Sequence, residues 1–182
     1  MAHMIPDTIR EGTASRAEKR LFNRFRSDLP DDCYVLHSLG LTNHETKIWG
    51  ECDFVVVSTG GIFALEIKGG GVSCEKGEWL FTNTSGKVFR KSEGPFEQAK
   101  EAMFAVRRFV EKQDELKGFL YGYGVIMPDE TFIHESPEIE PGVLLDRRHY
   151  HRKLDEYIRA LSEFWREDYA RKHDRPPKLP SK

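Results

Sequence analysis

The chain is poor in cysteine: Cys33, Cys52 and Cys74 are an odd set with no pair at CxxC spacing. That excludes a disulfide framework and a cysteine-built zinc site, and it fits a reducing cytoplasm. Long apolar runs are also missing. The longest, residues 54–57 and 62–65, are far too short to cross a bilayer. No basic segment followed by an apolar stretch opens the chain, so no secretory signal is read there. Nor does one sign of charge dominate, since 28 Lys and Arg against 30 Asp and Glu give a formal net charge of −2. A general basic coat is therefore excluded, and any contact with a polyanion must be local.

What is present is the composition of a soluble globular domain, 38% hydrophobic and 32% charged over 182 residues. Neither an internal repeat nor a low-complexity tract interrupts it. Met1-Ala2-His3-Met4 reads as a cloning scar, and residues 1–9 as a tail. Residues 10–172 form one expected domain. Residues 173–182, rich in proline and polar side chains, are either a frayed tail or a linker to a domain missing beyond them.

Periodicity predicts a helix over residues 13–25, with Ala14, Ala17, Leu21, Phe22 and Phe25 on one stripe and Leu29-Pro30 as its stop. Residues 34–39 read as a strand. Asp53-Phe-Val-Val-Val-Ser58 and Ile62-Phe-Ala-Leu-Glu-Ile-Lys68 flank Thr59-Gly60-Gly61, the pattern of a β-hairpin. Both arms are apolar on both faces near the turn, so they are expected in the middle of a covered sheet. A second hairpin is predicted over residues 77–90, turning near 83–86. A helix follows from Gly94-Pro95 to about Val110, then a strand over 119–127 and a last helix over 153–171. The fold class is α/β, a mixed central sheet flanked by helices.

If the hairpin turns symmetrically about Thr59-Gly60, Val57 faces Ile62 and Asp53 lies opposite Glu66. Side chains alternate along a strand, so Lys68 shares the face of Glu66, and Glu51 that of Asp53. Facing carboxylates destabilise a strand pair, and a divalent cation between them removes that cost. Hard oxygen donors suit Mg²⁺ or Mn²⁺. A three-residue loop would shift this register. The same register also sets Glu51 opposite Lys68, so a plain cross-strand salt bridge stands as a second reading. Gly69, Gly70 and Gly71 allow close approach of a backbone or a ligand, or form only a flexible turn. Glu18 lies inside the apolar stripe of the first helix, either as a third acid aimed at the site or as a stripe-edge residue reaching solvent.

Taken together, Glu18-Lys-Arg-Leu, Leu29-Pro-Asp-Asp-Cys-Tyr-Val-Leu-His37, Glu51-Cys-Asp-Phe-Val-Val-Val57, Gly61-Ile-Phe-Ala-Leu-Glu-Ile-Lys68, Trp79 and Pro95-Phe-Glu-Gln98 resemble the nuclease-related domain (NERD) family. That family is a branch of the PD-(D/E)xK nuclease superfamily, and the form most similar here stands at the N-terminus of bacterial superfamily 1 helicases. The resemblance implies a restriction-endonuclease-like core that hydrolyses DNA. Asp53 and Glu66 would hold Mg²⁺ or Mn²⁺ with the Ile67 carbonyl. Lys68 would orient the attacking water, and Glu18 would support the metal or its water shell. Gln98 would help hold substrate or the site, or is a helix-surface glutamine. Cys52 stands where the superfamily name has proline.

Lys87, Arg90, Lys91 and Lys100 belong to a cationic cluster suited to phosphate contact. Glu93, Glu97 and Glu101 interleave with it, so a charge-balanced exposed face is the alternative. His149-x-His151, flanked by arginines, reads as a solvated loop. A non-catalytic nucleic-acid-binding or partner-docking module is the competing reading of the whole chain.

Overall fold

The computed structural model describes residues 1–9, 11–12, 15–41, 50–83 and 85–181. Helix α1 (Arg16–Asp28) begins where the Ser15 side chain accepts from the Glu18 N–H at 3.2 Å. It stops at Leu29, which proline at position 30 holds extended. Thr13 and Ala14, the first residues of the predicted helix, lie outside the described residues.

Strands β2 (Tyr34–Leu41), β3 (Gly50–Ser58) and β4 (Gly61–Ile67) form an antiparallel meander. Strand β8 (Tyr121–Met127) lies parallel to β4, β9 (Leu144–Asp146) parallel to β8, and β1 (His3–Ile5) parallel to β2. The result is a mixed six-stranded sheet in the order β1-β2-β3-β4-β8-β9, the architecture expected from the sequence. Ser58 pairs with Gly61, so the hairpin turns on Thr59-Gly60 alone. Every residue of β4 and β8 is buried, as central strands covered on both faces require.

Directly paired residues share a face of the sheet. Phe54, Phe63, Leu65, Gly122 and Gly124 therefore lie on one face. There Phe25 of α1 meets the Phe54 ring at 5.0 Å. Helix α3 (Leu154–Lys172) packs beside it, sinking Trp165 against Gly122 and Tyr157 against Gly124, each too close for a side chain. Val55, Val57, Ala64 and Glu66 point to the other face. Helix α2 (Pro95–Val110) covers that side, its Val106 and Phe109 lining a groove with Val57 and Ile62.

Three strands were not foreseen. Strand β5 (Gly71–Glu75) joins β6 (Glu78–Thr82) and β7 (Val88–Lys91) in a second sheet, of which only the last two strands were expected. Only Val72 of β5 is buried, so the strand shows no apolar alternation. Strand β1 falls in the stretch set aside as a tail, yet Ala2 and Met4 are buried. Strand β9 is only three residues long. At the far end Leu120 N–H donates to the Lys178 carbonyl at 2.9 Å, and Lys178 N–H to the Gly118 carbonyl at 2.8 Å.

The glycines after Lys68 serve backbone packing. A Cβ on Gly69 would stand 2.8 Å from the Ala17 Cβ of α1, and one on Gly70 would stand 2.2 Å from the Thr82 carbonyl oxygen. Gly70 also has φ +81°, a region closed to most side chains. Gly70→Ala is expected to cost about 2–4 kcal/mol, combining left-handed strain with overlap against rigid backbone. Urea unfolding checks this, and a loss below about 0.5 kcal/mol would show that the second sheet moves aside freely.

Candidate active site

Asp53 sits where the ladders on both sides of β3 fail. Toward β4, pairing runs from Ser58↔Gly61 to Phe54↔Leu65 and then stops. One step on, the Ile67 N–H is taken by the Asp53 side chain, Oδ2 accepting at 2.7 Å. The carboxylate occupies the place that the Cys52 carbonyl would hold in a continued ladder. Toward β2, His37 pairs with Phe54 and Leu39 with Cys52, but Ser38, between them, has φ +56°. A non-glycine residue in that conformation marks local strain. A symmetric register places Asp53 directly opposite Glu66; in the structure that pair is not part of the ladder, Asp53 taking the Ile67 N–H while Glu66 pairs with Val125 of β8.

Glu66 is buried on β4 and accepts a charged hydrogen bond from Lys68 Nζ. The cross-strand alternative, Lys68 with Glu51, is not what forms, because Glu51 pairs with Gly40 and accepts from the Ser38 hydroxyl. Lys68 also lies over the Phe81 ring at 5.6 Å, so β6 forms one wall of the site. Glu18 approaches from α1, its Oε2 3.4 Å from His37 Nε2.

The electrostatics follow from burial and like charge. Burial pushes the Asp53 carboxyl well above the usual carboxylate range, and Glu66 and Glu18 push further, against Lys68 and the Ile67 N–H. Burial also raises Glu66, and the Lys68 ammonium reverses this only in part. Burial works against the charge on Lys68, but Glu66, Asp53 and Glu18 outweigh it and raise its affinity for the proton. Three carboxylates thus surround one ammonium.

The other predicted site residues are more dispersed. Helix α2 runs antiparallel to β4, with its last turns at Ile62, so its first turn points toward the Glu66 end. Gln98 lies in that turn. Its Nε2 donates to Glu93 at 3.2 Å, and its Oε1 is buried with no hydrogen-bond partner among the described residues. Lys91 reaches the site: its Nζ is 5.8 Å from the Phe81 ring centre, and its charge acts on Glu66. Lys87, exposed in the turn before β7, lies over Phe89 at 5.0 Å, and Arg90, exposed on β7, pairs with Glu78 at 3.0 Å. Lys100 lines the groove between α2 and α3. His149 is half exposed beside Asp146, a carboxylate already held by the Phe132 and Arg148 N–H groups.

Sequence reading gave no role to His37 and missed Phe81. His37 was legible as a polar residue two places from Val35 on a half-buried strand. The position of Phe81 depends on how the second sheet folds back over Lys68, which no local pattern encodes.

Among the described residues no group of three or more His, Cys, Asp or Glu side chains is arranged to hold a metal. The donors that converge are two carboxylates, Asp53 and Glu66, beside the end of β4. In an extended strand N–H and C=O of one residue point to the same side; the Ile67 carbonyl therefore faces the side where its N–H meets Asp53. Hard oxygen donors, with Glu18 making three carboxylates against the single ammonium of Lys68, fit a divalent cation such as Mg²⁺ or Mn²⁺.

No curated protein and no solved structure matches the chain. The profile of the nuclease-related domain family matches residues 13–134, about two-thirds of its length, and this span contains Glu18, Asp53, Glu66, Lys68 and Gln98. The chain belongs to the nuclease-related domain family.

Proposed function

We propose that this domain is a divalent-metal-dependent nuclease that hydrolyses phosphodiester bonds of DNA. The observation that carries the reading is the pair of partly buried Asp53 and buried Glu66, desolvated and mutually repelling at the one point where β3 leaves both neighbours. A structural carboxylate would be cheaper elsewhere, and such uncompensated charge is the signature of a working site. As in the PD-(D/E)xK superfamily, Asp53, Glu66 and the Ile67 carbonyl would hold Mg²⁺ or Mn²⁺, which when bound polarises the scissile phosphate and lowers the pKa of water.

The chain's own groups do the rest. The Ile67 N–H fixes one Asp53 oxygen, which sets the rotamer of the other. Lys68, held by Glu66, aligns a water for in-line attack on phosphorus and steadies the charge that builds on the phosphate oxygens. A P–O bond forms to the water, the P–O bond to the leaving sugar oxygen breaks, and that oxygen takes up a proton. Lys91, at the rim, meets an adjacent phosphate. Gln98 holds the substrate-side wall at the start of α2. In the full-length protein the domain is tethered to a helicase-like motor that supplies strand, and it works in the cytoplasm.

The test is supercoiled plasmid incubated with Mn²⁺ or with EDTA, beside a Lys68→Ala variant. Metal-dependent nicking by the wild type alone is expected. Binding without cleavage by either would assign the chain instead to a non-catalytic docking module of the same fold.

Lys91→Ala is expected to weaken DNA binding uniformly across sequences and to flatten the salt dependence by about one unit of slope. Fluorescence anisotropy across a salt series measures it. An unchanged slope would remove Lys91 from the interface.

A further inference from the structure

We infer that His37 is a positioning residue for Glu18, resting on the proposed nuclease reading. His37 is 1% exposed on β2, between the rings of Phe22 at 5.4 Å and Phe54 at 4.8 Å. Neither ring nitrogen has a hydrogen-bond partner among the described residues. A buried polar group left so costs about 1–3 kcal/mol, which an apolar residue would not. Among the described residues it lies beside Glu18, Oε2 standing 3.4 Å from Nε2.

Glu18 is itself diverted from its ordinary use. Ser15-x-x-Glu18 is a capping-box spacing, in which the glutamate should turn back to the Ser15 N–H. Only half of the box forms: Ser15 accepts from the Glu18 N–H at 3.2 Å, but no return bond to the Glu18 carboxylate exists among the described residues. The carboxylate faces the imidazole instead, close enough to Asp53, Glu66 and Lys68 to act on the charge of each. Left alone beside two like charges, it would swing to solvent. The Phe22 and Phe54 rings flank the imidazole, and a small turn that points Nε2–H at Oε2, 3.4 Å away, would hold the third acid on the site. The same strand then breaks at Ser38, φ +56°, next to the residue that frees Asp53. Residues 37 and 38 of β2 thus set two of the three carboxylates.

Five proteins test this: wild type, His37→Phe, His37→Gln, Glu18→Gln and the double variant His37→Phe/Glu18→Gln. Phenylalanine keeps the ring and removes the donor; glutamine restores a donor at the position of Nε2. His37→Phe is expected to raise the Mn²⁺ concentration for half-maximal cleavage about tenfold, the scale of lost outer-shell support. His37→Gln should recover most of it, and His37→Phe should add nothing in the Glu18→Gln background. The melting temperature of His37→Phe should match or exceed that of the wild type, which a merely structural histidine would not allow.

A readout independent of cleavage is the long-range ¹H–¹⁵N spectrum of the His37 ring. It should show Nε2 protonated, with a signal that moves in Glu18→Gln. Ring signals unmoved by Glu18→Gln, or equal Mn²⁺ dependence of wild type and His37→Phe, would overturn the inference. If the wild type cleaves nothing while Glu18→Gln still moves the ring signals, the nuclease reading falls and the positioning contact stands.

Discussion

Asp53→Asn is expected to raise the melting temperature of the metal-free protein at pH 7 and at the same time to abolish Mn²⁺-dependent cleavage. The two effects have one cause. Burial, Glu66 and Glu18 all oppose the Asp53 charge, so its carboxyl holds a proton more tightly in the folded chain than in the unfolded one. The native state then binds more protons than the unfolded state, and stability falls as pH rises. The sign is opposite to that of a salt-bridged aspartate. The loss begins near the unfolded value of about 4 and is complete only above the raised folded value. Asparagine carries no charge, keeps the volume and still accepts from the Ile67 N–H. It should therefore gain about 1–2 kcal/mol at pH 7, or a few degrees in a domain of this size. The advantage should shrink toward pH 4, where Asp53 is protonated in both states. Divalent cation should reverse the order, stabilising the wild type by mass action and leaving Asp53→Asn unmoved. Scanning calorimetry at pH 4, 5.5 and 7, with EDTA or Mn²⁺, separates these cases. A variant less stable than wild type at pH 7 in EDTA would show that Asp53 is a structural ligand of Ile67 and no more.

The same residue shows how far the sequence could be read. The symmetric turn on Thr59-Gly60 predicts the pairs Val57↔Ile62 through Phe54↔Leu65, and the structure has them. It does so because a two-residue turn and apolar residues on both arms leave little freedom in register. One step farther the extrapolation fails: Ser38 bends β2, and the Asp53 side chain replaces a main-chain acceptor. A lone serine in a strand gives no warning of that. Helices α1, α2 and α3 were legible from apolar spacing, and Pro95 from its fit to a first helical turn. Strand β5 was not, since its stability comes from pairing with β6 and not from an apolar face of its own. The register left open whether Lys68 serves the site beside Glu66 or forms a plain salt bridge with Glu51 across the hairpin. What decides is depth: Glu66 is buried and needs a counter-charge, while Glu51 is exposed and finds the Ser38 hydroxyl.

Replacing Lys68 with methionine should stop cleavage and also unfold the protein more easily, and the two losses can be pulled apart. Lys68 is the hydrogen-bonded cation beside buried Glu66, and its ammonium lies over the Phe81 ring. Methionine preserves the stem and deletes the ammonium. Glu66 is then a buried carboxylate with no partner, which costs about 3–5 kcal/mol. Its raised proton affinity should rise further, so the deficit is largest at neutral pH and fades as acid protonates Glu66. The stability loss belongs to the unpaired charge, so removing both charges should restore the fold. The double variant Glu66→Gln/Lys68→Met should recover most of the stability, since an apolar or neutral pair of similar volume replaces a buried ion pair at little cost. It should recover none of the cleavage, which is expected to stay at least about a hundredfold below wild type, the scale of losing one charge-stabilising donor. Lys68→Arg completes the set: it keeps the positive charge but spreads it over a planar fork that cannot occupy the place of a compact ammonium. It should retain stability better than methionine and still cleave poorly. Urea titrations at pH 5 and 7 beside plasmid-nicking rates give both axes for all three proteins. Full cleavage by Lys68→Met where it remains folded would reduce Lys68 to a structural counter-ion, with no part in aligning the attacking water.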